Sequence, residues 1–293
     1  MKASASIACR FLDKSLVASM QPKKGSPLPG LSLSLGYSVT YLSLLVLIPL
    51  SACFITAASL SPTEFWNIVW SERTRAAYYL TFTTAFIAAL INAVIGFLVA
   101  WVLVRYEFPF KRLVDAMIDL PLALPTAVAG LVYSSLYVES GWLGQYLVPL
   151  GINAAYTKFA IVWVLVFTGF PFVVRTVQPV LEEIEPEVEE AAAILGASRL
   201  QVFLRILLPT VFPAILSGFA QAFARGLGEY GSVIFVSSNI PYKTELAPVL
   251  IVTRLEEMAF PEATAIATIL LIASFLLLAF INTIEIWSKR LGK

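Results

Sequence analysis

Few side chains in this sequence have the type and spacing that chemistry requires. The chain contains no histidine, which removes the commonest general base and the commonest metal ligand. Cys9 lies in a polar amino-terminal tail and Cys53 in an apolar stretch, so they predict no disulfide framework and leave the redox compartment open. The sequence therefore argues against catalysis, predicts no metal site and gives no reason to expect a cofactor in the chain itself.

The sequence also lacks a phosphate-binding loop. The nearest string, GSPLPGLS from Gly25 to Ser32, has Leu31 where such a loop requires lysine. Pro27 and Pro29 remove two backbone N–H donors that the loop would direct at phosphate oxygens. Any nucleotide that drives this protein must therefore be bound by another polypeptide.

One pair of opposite charges lies within an apolar stretch. Arg225 and Glu229 are four residues apart, so in a continuous helix they lie on one side and can form an ion pair. A second interpretation assigns the pair to a polar pathway, where Arg225 supplies positive potential and Glu229 moderates it. Gly228, with Gly226 and Gly231, makes this stretch easy to unwind, which would expose backbone donors to an anion.

A polar segment at about 182–209 predicts a helix, a tight turn and a second helix. Pro186 suits the first position of a helix, and the glutamates after it complement the positive end of the helix dipole. Gly196 supplies a stop, and Ser198 with the glutamine three residues later forms a capping-box pattern. Ala191–Ala193 leave the first helix nearly smooth, as a docking surface requires. The alternative is that these alanines pack against the chain's own membrane helices.

The elements that carry these residues are membrane helices. Of the 293 residues, 59% are hydrophobic and 13% are charged, and a mean hydropathy of +0.83 exceeds what a soluble surface accommodates. The net charge of +1 gives no basic excess, so nucleic acid is not expected as a partner. A bilayer core about 30 Å thick needs roughly 20 apolar residues in a helix. Six stretches meet this length: Gly36–Ala58, Tyr78–Val104, Leu113–Tyr137, Phe159–Pro179, Pro209–Val236 and Glu262–Trp287.

Lysine and arginine are distributed unequally between the two ends of these spans. One side carries 14 of them and the other carries five, with Arg225 left out because it lies within a span. Positively charged loops stay in the cytoplasm during insertion, so both termini and the segment 182–209 are predicted to be cytoplasmic. Residues 1–35 are predicted to form a flexible cytoplasmic tail.

The amino-terminal part of the sequence resembles two kinds of processing signal. LSAC, Leu50–Cys53, resembles a lipoprotein cleavage box, but too many polar residues precede it and Phe54 continues the apolar stretch. The tail is rich in serine and basic, as organelle transit peptides are, although Asp13 weakens that interpretation. A flexible lead-in is favoured, and a plastid membrane stays open as a location.

The segment EAAAILGASRLQVFLRILLP, Glu190–Pro209, resembles the coupling loop of ABC-importer permeases at its defining positions. In that family the loop fits a cleft on the ATP-hydrolysing subunit and transmits the closure of that subunit to the membrane helices. The resemblance implies that this chain is a permease subunit and not an enzyme, with ATP bound by a partner ATPase. It implies the coupling role for Glu190, Ala191, Ala192, Gly196, Ile206, Leu208 and Pro209.

Three further strings resemble a narrower family. They are DLPLALPTAVAG, GFPFVVRTVQPVLEE and RGLGEYGSVIFVSSNIPYKTE, which begin at Asp119, Gly169 and Arg225. They are similar to the T-type permease subunit of sulfate/thiosulfate importers, and molybdate permeases share part of them, so another oxyanion stays open as substrate. The resemblance implies the all-α, type I ABC importer permease fold. Residues 36–293 would hold six transmembrane helices and a cytoplasmic coupling helix-turn-helix.

The same resemblance implies partners and a place for them. The partners are a second, homologous permease subunit of W type, an ABC ATPase dimer, an extracytoplasmic sulfate-binding protein, sulfate or thiosulfate, and the lipid bilayer. The location is the bacterial plasma membrane, crossed several times. Arg225, Gly228 and Glu229 are the candidate residues of the translocation pathway.

An ion-coupled secondary transporter is the competing class. It would need discontinuous helices in two related halves, and by its glycines only the fifth span is expected to be breakable. Pro121, Pro125 and Pro171 predict kinks in the third and fourth spans. Asp115 and Asp119 are expected at the cytoplasmic end of the third span, without a role in transport.

Overall fold

The structure is a computed structural model that describes the backbone of residues 31–291 and, apart from Ser32, the side chains of residues 31–286. Within these limits the chain forms helices and no β-strand. The predicted tail, residues 1–35, lies outside the described residues except at its end, where a helix already begins at Leu31.

The chain divides into two units, residues 1–52 and residues 53–293, and the second contains every site discussed below. In chain order the described helices are α1 (Leu31–Leu42), α2 (Ile48–Ala57), α3 (Pro62–Val69), α4 (Glu72–Arg105), α5 (Lys111–Ile118), α6 (Leu120–Ala123), α7 (Thr126–Tyr137) and α8 (Gly144–Leu147). They continue with α9 (Lys158–Glu182), α10 (Pro186–Ile194), α11 (Arg199–Val202), α12 (Leu208–Leu227), α13 (Val233–Val236), α14 (Ala247–Glu256) and α15 (Phe260–Leu291). Two π-helical turns, Ser43–Leu47 and Phe203–Leu207, and a 3₁₀ turn at Val148–Leu150 complete the set.

Among the described residues, five helical runs are long and apolar enough to cross a bilayer. The third predicted span, Leu113–Tyr137, is not among them. The described residues therefore confirm five of the six predicted spans as long helical runs. The five runs are Leu33–Ala57, Glu72–Arg105, Lys158–Glu182, Arg199–Leu227 and Phe260–Ile286.

The third span is divided into α5, α6 and α7. α6 ends at Ala123, and Leu124 and Pro125 have extended backbone with ψ angles of 136° and 129°. Pro121 and Pro125 each remove a backbone donor, and a proline also disfavours helical geometry in the residue before it. The predicted kink is therefore a complete break of the helix.

Prolines elsewhere are accommodated without a break. α9 stays helical through Pro171. Pro209, predicted as the boundary between the second short helix and the fifth span, lies instead inside one continuous run, Arg199–Leu227. The π-helical turn Phe203–Leu207 widens the helix just before Pro209, where the missing N–H would otherwise leave a gap in the ladder. The α-helix of the fifth span thus begins at the predicted position, but without a break from the second short helix.

The core of the second unit is the packing of α4, α9 and α12 around Val173. A Cβ added to Gly96 of α4 would lie 2.8 Å from the Val173 side chain, and one added to Gly218 of α12 would lie 2.8 Å from Val173 Cα. Contacts this short are not found between real side chains, so both positions require glycine for the helices to approach so closely. Val173 is fully buried as a result.

The end of α4 that lies away from Arg105 is tied to the start of α14. Arg73 donates two hydrogen bonds to Glu245, at 2.8 and 2.7 Å, and the Glu245 side chain is buried. The N–H of Ala247 donates to Thr81 Oγ1 at 2.8 Å. These bonds fix the loop that follows α13.

Candidate functional site

The segment 182–209 has the predicted local structure of helix, turn and helix. Pro186 is the first residue of α10, and Gly196 ends the helix with a φ of +82°. The N–H of Ala197 donates to the carbonyl of Ala192, and the N–H of Gly196 donates to that of Ala193, both at 3.0 Å. This pair of bonds is the Schellman motif, in which a glycine with positive φ satisfies the last carbonyls of a helix.

The second helix of the hairpin begins at a capping box. Ser198 Oγ accepts from the N–H of Gln201 at 3.3 Å, and the Gln201 side chain accepts from the N–H of Ser198 at 2.8 Å. From Arg199 the helix runs to Leu227 and ends two residues before Glu229. One helical run therefore connects the hairpin to the charged pair.

The base of the hairpin is tied to the end of α4. Glu189 forms an ion pair of 2.5 Å with Arg105, and the Arg105 guanidinium lies 5.2 Å from the centre of the Trp101 ring. Trp101 in turn packs edge-on against Phe203, with ring centres 5.7 Å apart. Both helices of the hairpin are thus attached to the same end of α4.

The turn of the hairpin presents an apolar tip, which consists of Ile194, Leu195 and Leu200. Ile194 is 86% exposed and Leu195 is 87% exposed, values that no neighbouring apolar residue of the hairpin reaches. The sequence analysis did not single these residues out. A signal was present, since two consecutive large apolar residues lie directly before the helix-ending glycine.

The seven residues implied by resemblance have different environments. Ala192 is buried against Val202 and Leu207, so it packs the hairpin on itself and takes no part in the exposed surface. Ile206 and Leu208 are half-buried along the second helix. The exposed members of the set are Glu190, Ala191, Gly196 and Pro209.

Arg225 and Glu229 form the predicted ion pair, but they form it across the end of a helix. Glu229 Oε2 lies 2.6 Å from Arg225 Nη1, without the angles of a hydrogen bond, while Oε1 accepts from the N–H and hydroxyl of Ser232 at 3.0 and 2.8 Å. The Glu229 side chain is 1% exposed, whereas 34% of the Arg225 side chain is exposed. The carboxylate is thus fixed inside the protein, and the guanidinium retains access to the outside of the bundle.

Residues 228–232 lie outside any helix and contact the break of the third span. A Cβ on Gly231 would collide with Thr126 Oγ1, and one on Gly130 would collide with the carbonyl of Ser232. The hydroxyl of Ser134 donates to the carbonyl of Phe235 at 2.6 Å, which holds α7 against α13. The non-helical segment 228–232 of the fifth span therefore packs against α7, which begins directly after the break of the third span. The expectation that only the fifth span is breakable was wrong.

One face of α12 is polar and accessible. Gln221 is exposed, Arg225 is partly exposed four residues later, and a Cβ on Gly228 would meet no atom within 4 Å. At the break of the third span, Leu124 and Pro125 are exposed as well. Exposed polar side chains and non-helical backbone at membrane depth are tolerated only where they face water or another protein. We group Gln221, Arg225 and Gly228 with the nearby break Leu124–Pro125, which adjoins Gly231 through Thr126, as the candidate pathway face.

Helices of membrane length, a capped hairpin beside the helix ends and interrupted spans are features of ABC-importer permeases, and solved structures of that class share the fold. A bacterial alginate ABC transporter, solved with an alginate pentasaccharide-bound periplasmic protein, matches with a TM-score of 0.73 at 20% identity, over 90% of this chain and 95% of that chain. The MetNI methionine ABC transporter, in inward-facing conformations, matches with a TM-score of 0.55 at 18% identity, over 78% and 99%. The fold is that of a type I ABC importer permease.

Sequence comparison then gives the family. Residues 92–287 match the family described as binding-protein-dependent transport system inner membrane component. The sulfate transport system permease protein CysT of Salmonella typhimurium is 49% identical over 258 residues, which cover 88% of this chain and 93% of the relative. The protein of that name from Synechocystis sp. is 48% identical over 261 residues, covering 88% and 91%. The chain belongs to this family of transport permeases and is a multi-pass membrane protein.

Proposed function

We propose that this chain is a permease subunit through which an ATP-driven importer carries sulfate or thiosulfate across the bacterial plasma membrane. Relatives that are 48–49% identical over 88% of the chain are named sulfate transport permeases. The observation that carries the proposal is the apolar tip, where Ile194 and Leu195 are almost fully exposed on a hairpin whose base is fixed to α4. Adjacent exposed apolar residues of this kind are typical of a protein interface.

The partner at the apolar tip is a separate ABC ATPase dimer, which binds and hydrolyses the ATP. No cofactor is proposed for this chain itself. The exposed Glu190 and Ala191 flank the tip and offer a charged group and a small surface to the ATPase cleft. Since the turn is held by a Schellman motif and a capping box, the tip is rigid enough to transmit displacement of the ATPase.

The hairpin and both termini are proposed to lie in the cytoplasm. Arg105, Lys111 and Arg112 belong to the basic side of the sequence, and the Arg105–Glu189 ion pair brings the hairpin to that same end of α4. The distribution of lysine and arginine and this contact both favour a cytoplasmic hairpin. An extracytoplasmic sulfate-binding protein then delivers the anion to the opposite end.

The candidate pathway face is covered by the second permease subunit, a homologue of W type. Lipid is a poor environment for the partly exposed, charged side chain of Arg225 and for the non-helical segment Leu124–Pro125. Between two permeases these groups line a polar route. Arg225 attracts the dianion, and Glu229 holds the net charge of the pair near zero, so the anion is released as well as admitted.

The proposal is tested by uptake of labelled sulfate into proteoliposomes that contain the two permeases and the ATPase. Uptake is expected to require both enclosed ATP on the ATPase side and binding protein on the other side. Collapse of the proton and sodium gradients should leave uptake unchanged, because the driving force is hydrolysis. Competition by unlabelled thiosulfate and molybdate then ranks the oxyanions.

Two results would overturn the assignment. Uptake driven by an ion gradient, with this chain alone in the vesicle, would show a secondary transporter. ATP-driven uptake of labelled molybdate with little uptake of labelled sulfate would retain the importer and replace its substrate.

A further inference from the structure

Arg175 of α9 makes four hydrogen bonds to the broken third span and a fifth to Gln178 of α9 itself. Its Nε and Nη2 donate to the two carboxylate oxygens of Asp119 at 2.9 and 2.6 Å. Nη1 donates to Asp115 Oδ1 at 2.6 Å and to Gln178 Oε1 at 2.9 Å, and Nη2 also donates to the carbonyl of Asp115 at 2.8 Å. A guanidinium has five N–H groups, and all five are used here.

This cluster, which we call the Arg175 clamp, holds the third span at one of its breaks. Asp119 is the residue between α5 and α6, and Asp115 lies one turn earlier in α5. Apart from the clamp, few residues of α5 and α6 are buried, namely Ile118 and Pro121. The clamp side chains are themselves one-third to one-half exposed, so they are not part of the core.

Beside the clamp lies an open cleft of about 550 Å³, which Asp115 and Gln178 line together with the charged residues Glu107 and Lys111. It leaves room for α5 to change its position relative to α9. The rigid attachment of α5 to α9 therefore depends on the hydrogen bonds of Arg175 and on the small apolar contact of Ile118.

The clamp lies on a route from the hairpin to the candidate pathway face. The fifth span receives movement of the hairpin directly, because Arg199–Leu227 is one helical run. The third span has no such connection, since 44 residues, 138–181, separate it from the hairpin segment in the sequence. α9, however, ends at Glu182 and is followed after three residues by α10. Arg175 connects that end of α9 to α5 and α6, and through them to the break beside residues 228–232.

We infer that Arg175 is a positioning residue that makes the broken third span move with the fourth span and the hairpin. Asp115 and Asp119, expected from sequence to have no role in transport, are its acceptors. Both sides of the contact between the third and fifth spans then move together when the ATPase closes. This inference rests on the proposed function. Without the clamp, the ATPase still hydrolyses ATP, but hydrolysis no longer opens the pathway.

The test is Arg175→Lys in the complete complex in proteoliposomes, with sulfate uptake and ATP hydrolysis measured on the same vesicles. Lysine keeps the charge but has three donors from a single point, so it cannot hold both aspartates and Gln178. Sulfate transported per ATP is expected to fall about tenfold, within the range of typical coupling energies between sites. Asp119→Asn should have the same effect, and the two changes together should cost no more than either alone.

A matched control is Arg254→Lys, because Arg254 also pairs with two carboxylates, Glu257 and Glu262, at similar exposure and away from the clamp. It should leave sulfate per ATP unchanged. If Arg175→Lys and Asp119→Asn lower only the amount of complex, while sulfate per ATP stays at the wild-type value, the clamp is structural and the inference is wrong. If the unaltered complex itself transports no sulfate with ATP, the proposed function fails first.

Discussion

A complex that carries Leu195→Asp in this chain is expected to lose its ATPase subunits. Leu195 is almost fully exposed in the isolated chain, and the proposed contact buries it in a cleft. A carboxylate in that position would be desolvated without a partner. Residues at the centre of an interface commonly contribute about 2 kcal/mol or more, which corresponds to about 30-fold in affinity. The dissociation constant of the ATPase from the permease should rise by at least that factor, and both the copurified ATPase and ATP-driven uptake should fall once the complex is diluted to concentrations near it.

The control for this change is Leu150→Asp. Leu150 is also strongly exposed, but it lies in the 3₁₀ turn before α9, at the end of that helix away from the hairpin. Its replacement should leave the copurified ATPase unchanged, and neither variant should alter the melting temperature of the permease. Full retention of the ATPase by the Leu195→Asp complex would show that the apolar tip does not form the contact.

Arg225→Gln is expected to lower both the amount of folded protein and the uptake per complex. Glu229 is 1% exposed, and without Arg225 its charge is buried and uncompensated, which costs about 3–5 kcal/mol. Uptake per complex should fall about tenfold or more, since a lost hydrogen bond to a charged group is worth about 1.5–3 kcal/mol. Size-exclusion chromatography of the solubilised protein measures the first effect, and labelled sulfate measures the second.

A double variant, Arg225→Gln with Glu229→Gln, separates the two interpretations of this pair. Removing both charges should restore the amount of folded protein, because no buried charge is left alone. Uptake per complex should stay low, because the pathway has lost its cation. The matched control is Arg73→Gln with Glu245→Gln, because Arg73 is also paired with a buried carboxylate. This control should have the wild-type amount of folded protein and the wild-type uptake per complex. Wild-type uptake by the Arg225 double variant would make that pair purely structural.

The hairpin shows which features sequence alone determines. Its start at Pro186, its stop at Gly196 and its capping box at Ser198 are set by residues within a few positions of one another, and all three are found in the structure. Local rules of helix termination are sufficient for such a segment. The direction of each alanine depends instead on packing with Val202 and Leu207, so the burial of Ala192 was not predictable from the same pattern.

The interrupted spans show where local rules fail. Prolines in the third span and glycines in the fifth indicated weak points, but a proline alone does not distinguish a kink from a break, as the unbroken α9 through Pro171 shows. The contact between the two interrupted spans joins residues about a hundred positions apart, as in the Ser134–Phe235 hydrogen bond between α7 and α13. Periodicity in one sequence carries no information at that range.

One charged pair was predictable from sequence spacing, and the Arg175 clamp was not. Arg225 and Glu229 are four residues apart, so their pairing was accessible from spacing, although the helix that justified it ends between them. Arg175 and its aspartates are 56 and 60 residues apart. Each of the three charges on its own resembled an ordinary group at a membrane interface, and their common role became visible only when the fourth span was placed beside the third.

The proposed function depends on the claim that the apolar tip touches the ATPase and conveys its movement to the membrane helices. Cross-linking from position 195 examines this contact, with Leu195→Cys in a chain whose own Cys9 and Cys53 are replaced by serine. A short bifunctional reagent, applied to the complex in inside-out vesicles, is expected to join this chain to the ATPase, with a yield that changes when ATP closes the dimer. A cysteine at position 150 should give no such product. If position 195 is labelled only from the extracytoplasmic side, or reacts freely in an active complex without joining the ATPase, the claim is contradicted.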